Sequence, residues 1–130
     1  MTANKIALVI EGGGFKSVFT AGVLDAFITK NFNPFDIYIG VSSGAMALSY
    51  YLSDQYKAYF SLSKAVCVNE EFLSYKHSLS EEGYMNLKYL TNYAIKTNPL
   101  DFPQIRNTIK NKQFYVVATN TDNGEAVYLL

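Results

Sequence analysis

Residues 35–52, "FDIYIGVSSGAMALSYYL", decide the fold. The apolar run Ile37–Ile39 is too short for a helix and reads as a strand, closed by the turn-forming "GVSSG". From Gly44 to Ser53 apolar residues fall on almost every side (Ala45, Met46, Ala47, Leu48, Tyr51, Leu52), which predicts a buried helix. Upstream, "KIALVIE" (Lys5–Glu11) predicts a strand buried on both faces, closed by Gly12-Gly13-Gly14. Val18 to Lys30 then places Phe19, Val23, Leu24, Phe27 and Ile28 at helical spacing, ending before Pro34. Strand, helix, strand, helix in this order predicts an α/β fold with a mainly parallel sheet and right-handed crossovers.

The remainder extends this plan. Asp54 to about Pro99 reads as mostly helical, with Tyr84 to Lys96 the clearest piece. "LDFPQIRNTIK" predicts a short helix with Asp101 as N-cap and Pro103 in its first turn. "QFYVVATNT" and "EAVYLL" read as two strands around the turn-former "DNG". Leu130 falls inside an apolar strand, so residues 1–130 are expected to be the front part of a single longer domain.

Composition narrows the function classes. Eleven basic residues balance eleven acidic ones, with no long charge run, so nothing points to nucleic acid. The apolar stretches are too short or too broken for a signal peptide or a membrane span, and Cys67 is alone, so a cytoplasmic location is expected. Cys67, in "AVCVN", reads as a small buried apolar residue. No cluster suggests a metal or a cofactor.

Gly40-Val41-Ser42-Ser43-Gly44 fits G-x-S-x-G, and its flanks supply the strand-to-helix context the motif needs. Such a turn exposes the serine hydroxyl at the sheet's carboxyl edge, with Gly40 and Gly44 relieving the crowding on either side. The helix N-terminus adds backbone N–H groups and partial positive charge. Gly12-Gly13-Gly14-Phe15-Lys16 admits three readings. A dinucleotide fingerprint would need glycine where Ser17 stands, and an acidic residue at the end of the second strand rather than Asp36 at its beginning. A Walker A phosphate loop would need glycine directly before Lys16. An oxyanion hole for an acyl-transfer serine also accounts for Ser42, because loops after successive parallel strands emerge at one sheet edge. A phosphate- or nucleotide-binding module remains the alternative.

"EGGGFKSVFTAGVLDAF", "FDIYIGVSSGAMALSYYLS" and "QFYVVATNTDNGEAVYL" together resemble the patatin-like phospholipase family, in particular its bacterial branch. The resemblance spans essentially the whole chain. It implies a three-layer α/β/α fold and a serine acyl hydrolase that cleaves carboxylic esters of lipids through a Ser-Asp dyad, with no cofactor. Its partner would be a lipid or acyl-ester substrate, with peripheral membrane contact. By motif, Ser42 would be the nucleophile, and Gly12, Gly13, Gly14 and Lys16 the oxyanion-hole loop. Lys16 stands where the family usually has Arg, and Ser17 where it usually has Gly. The family's aspartate precedes Gly-Gly or Gly-Ala, but none of Asp25, Asp36, Asp54, Asp101 or Asp122 is followed by glycine. The base is therefore expected beyond Leu130, which would leave this piece with little activity or make it a non-catalytic remnant. His77, in the polar stretch "YKHSLSEEG", reads as a solvated residue rather than a substitute base.

Overall fold

A computed structural model describes residues 4–74 and 84–130. Four strands form one sheet in the order β1 (Ala7–Ile10), β2 (Ile37–Val41), β3 (Gln113–Thr119), β4 (Ala126–Leu129). β1, β2 and β3 are parallel, and β4 returns antiparallel to β3. The mainly parallel α/β class is therefore as expected. Helices α1 (Ser17–Thr29) and α2 (Ser43–Leu52) follow the first two strands. Helices α3 (Ala58–Cys67), α4 (Leu87–Thr97) and α5 (Phe102–Thr108) precede β3.

Chain order equals sheet order for the three parallel strands. Right-handed crossovers that all step the same way put their helices on the same face, and α1 does pack directly on α2. The register aligns Leu8, Tyr38 and Phe114 across the sheet, and one pair further Ile10, Gly40 and Val116. Ile10 and Tyr38 join Ala21, Leu24, Ala47, Leu48, Leu52 and Leu62 in a single core, with Leu8 and Phe114 against its margin. Each fully buried leucine contributes about 1.5–3 kcal/mol of transfer free energy. Tyr38 buries its ring completely because its hydroxyl is served, donating to Asn33 Oδ1 and accepting from Lys112 Nζ at 3.0 Å.

Two sequence expectations are corrected. Among the described residues β1 is not buried on both faces: it lies at the end of their strand order, and Val9 is 62% exposed. Cys67 is not buried either. It ends α3 on the exposed side, with its thiol donating to the Lys64 carbonyl. The Asp101 cap is as expected, its Oδ1 accepting the Gln104 N–H at 2.9 Å. α4 starts at Leu87, three residues inside the predicted segment, because Asn86 caps it by accepting the Tyr89 N–H.

Candidate active site

Ser42 occupies the single residue between β2 and α2. Its backbone has φ 51° and ψ −126°, a region that side chains with a Cβ rarely enter. The Ser42 carbonyl already accepts the Ala45 N–H at 2.9 Å, so α2 begins at once. The hydroxyl is not spent on a cap, and the residue is exposed. An exposed, uncommitted hydroxyl on a strained strand-to-helix turn is the local geometry a nucleophile elbow requires.

Both flanking glycines are required by close approach. A methyl on Gly40 would stand 2.5 Å from the Ala45 Cα, because α2 folds back directly over β2. A methyl on Gly44 would stand 2.7 Å from the Ile10 carbonyl oxygen at the end of β1. The elbow is thereby pressed against the start of the glycine loop.

That loop lies beside Ser42. A methyl on Gly12 would come within 3.0 Å of the Ser42 Cβ and 3.2 Å of the Val41 carbonyl oxygen. Gly14 has φ +56°, and residues Gly14–Lys16 form a single 3-10 turn that leads into α1. Gly14, Phe15, Ser42 and Ser43 share the wall of a cavity of about 310 Å³ with Met46 and Leu62. A second cavity, of about 480 Å³, also reaches Ser42 and lies between α2, α4 and the end of β3. Neither has an Asp, Glu or His among its described lining residues. Ser43, only 9% exposed, has no hydrogen-bond partner for its hydroxyl among the described residues.

A family model for patatin-like phospholipase matches residues 8–128. The chain belongs to the patatin-like phospholipase family. It is 33% identical over 128 residues to the uncharacterized protein YjjU of Escherichia coli (strain K12). That alignment covers 98% of this chain but 36% of YjjU, so the chain spans about a third of the relative's length. No solved structure gives a significant match.

Among the residues carried over from the family pattern, Gly12, Gly14, Gly40, Ser42 and Gly44 converge. Lys16 does not join them through its side chain. The ammonium curls back over Gly13 and lies 3.7 Å from Glu11 Oε1, with both side chains mostly exposed. Three aspartates have structural work elsewhere: Asp25 accepts the Lys57 N–H, Asp36 the Ile6 N–H, and Asp101 caps α5. Asp122 lies in the connection between β3 and β4, as "DNG" suggested. His77 lies outside the described residues. Ser43 and Tyr59 also line the first cavity, a placement that depends on what packs around them.

Proposed function

We propose that these 130 residues form the N-terminal part of a patatin-like domain whose function is hydrolysis of lipid carboxylic esters. The observation that carries this reading is the strained Ser42 backbone, φ 51° and ψ −126°, directly beside Gly12 of the glycine loop. Ser42 Oγ attacks the ester carbonyl carbon while a general base takes its proton, and the carbonyl oxygen becomes an oxyanion. Amides of the Gly12–Gly14 loop, with the N-terminus of α2, stabilise that charge. Collapse of the intermediate breaks the bond to the leaving alcohol, which receives the proton. Water then releases the acyl group from Ser42. The largely apolar cavity beside Ser42 suits an acyl chain.

The base in this reading is an aspartate outside residues 1–130, because no described acid or histidine lines either cavity at Ser42. These residues alone are expected to turn over little ester. No helix among the described residues is long and apolar enough to cross a membrane. Peripheral contact is the mode of access we favour, since Phe15 and Phe19 beside the glycine loop are exposed.

Fluorophosphonate labelling and short-chain ester hydrolysis by the longer protein, wild type against Ser42→Ala, test the proposal. Both activities are expected in the wild type and should vanish in the variant. A longer protein that carries an Asp-Gly-Gly or Asp-Gly-Ala motif yet does neither would refute it for those substrates.

A further inference from the structure

Ser17 stands where the family usually has glycine, and it is 4% exposed. Its hydroxyl lies 2.6 Å from the Gly14 carbonyl oxygen and 2.6 Å from the Tyr59 hydroxyl. The protons can be assigned. A carbonyl only accepts, so Ser17 donates to Gly14, and Tyr59 must donate to Ser17. The result is a directed chain, Tyr59 O–H to Ser17 O–H to Gly14 C=O, that joins α3 to the glycine loop, its Tyr59–Ser17 link spanning 42 residues of sequence.

The acceptor's position gives this chain its consequence. Three consecutive glycines form the most conformationally free segment a backbone can have, and Gly14 sits at φ +56°. The Gly14 carbonyl also accepts the Ser17 backbone N–H. Two donors from one residue therefore hold the peptide plane that follows Gly14, and with it the direction of the Phe15 N–H. Tyr59 is itself fixed, being 7% exposed with its ring 5.9 Å from that of Tyr50. It also lines the cavity that reaches Ser42, so an acyl chain there would pack against the residue that steadies the loop.

We propose that Ser17 and Tyr59 are positioning residues that lock the Gly14–Phe15 peptide, and through it the end of the glycine loop whose amides hold the oxyanion. The catalytic part rests on the hydrolase reading; the locking does not. It follows that the serine in place of glycine is a gain of preorganisation, since a donor aimed in advance needs no rearrangement as charge develops.

The test uses the longer protein with Ser17→Ala and Tyr59→Phe. Hydrogen exchange of a peptide spanning residues 12–17 should accelerate about tenfold or more in Ser17→Ala and less in Tyr59→Phe, where Ser17 still donates. Ester hydrolysis per labelled site should lose about tenfold to a hundredfold in kcat with KM nearly unchanged, as expected for misplaced transition-state donors. Unchanged loop exchange in Ser17→Ala overturns the proposal, as does a rise in KM with kcat intact. A wild type that neither labels nor turns over ester counts against the hydrolase reading. The exchange result then judges the lock by itself.

Discussion

Gly44 is seated so closely on the end of β1 that a side chain there would overlap the Glu11 carbonyl oxygen. This relationship joins the helix that begins directly after Ser42 to the loop expected to hold the oxyanion. Gly40 performs the corresponding service one strand over, against the Ala45 backbone. In both cases the obstacle is main chain, which cannot rotate aside. Gly40→Ala and Gly44→Ala should each destabilise the longer protein by about 3 kcal/mol, the upper end of ordinary overpacking. Urea unfolding would measure this; a loss below about 0.5 kcal/mol would mean that α2 shifts freely.

Ser42 should store strain. A residue with a Cβ at φ 51° and ψ −126° costs on the order of 1–3 kcal/mol, of which glycine's extra unfolded-state freedom returns part. Ser42→Gly should therefore be more stable than Ser42→Ala by about 1 kcal/mol, although both lose the hydroxyl. Equal denaturation midpoints for the two variants would show that the elbow is relaxed.

Ser43 makes the opposite case from Ser17. Its buried hydroxyl has no partner among the described residues, so removing it leaves no other group unsatisfied. Ser43→Ala should leave stability unchanged or raise it by up to about 1 kcal/mol. A clear loss in thermal denaturation would reveal a partner for that hydroxyl.

Gly22 lies inside α1, where a glycine either permits close packing of a neighbouring helix or is inert. The structure favours the second: nothing described lies within 4 Å of where a Cβ would be, and the residue is exposed. Gly22→Ala should stabilise the protein by about 0.5–1 kcal/mol through helix propensity alone. Destabilisation in the same measurement would contradict the open surroundings.

Tyr50 and Tyr51 set an alkaline limit. Burial, aided by Tyr59 for Tyr50 and by Tyr38 and Asp54 for Tyr51, raises both phenol pKa values above the ordinary 10.0. Their hydroxyls donate to the carbonyls of Asn98 and Phe32, each at 2.7 Å. Above pH 10 the unfolded chain releases these protons while the folded chain keeps them, so this contribution is full below that pH and is lost as pH rises beyond it. Urea midpoints should fall above about pH 10, less steeply in Tyr51→Phe. An unchanged slope would assign the loss to other groups.

Local rules explain which features could be read in advance. The Asp101 cap, the β2–α2 junction around Ser42 and the spacing of Gly40 and Gly44 follow from sterics and periodicity within a few residues. Cys67 was misread for the same reason: "AVCVN" is apolar in sequence, yet the end of α3 turns its thiol outward. The burial of β1 was not legible because an apolar strand carries no mark of which distant segments cover its faces; among the described residues Val9 is left uncovered.

The sequence by itself determined the alternation of strands and helices, the glycines at both turns and Ser42 as the candidate nucleophile. These depend on backbone sterics and side-chain period, which neighbouring residues express. Only the tertiary structure decided that Gly12 lies against Ser42, that the Lys16 side chain turns toward Glu11, and that Tyr59 reaches Ser17. The Gly12–Ser42 and Tyr59–Ser17 contacts join segments distant in sequence, the latter by 42 residues, and exist only once sheet order and helix packing bring them together. The Lys16 contact is local but needs the turn of the glycine loop.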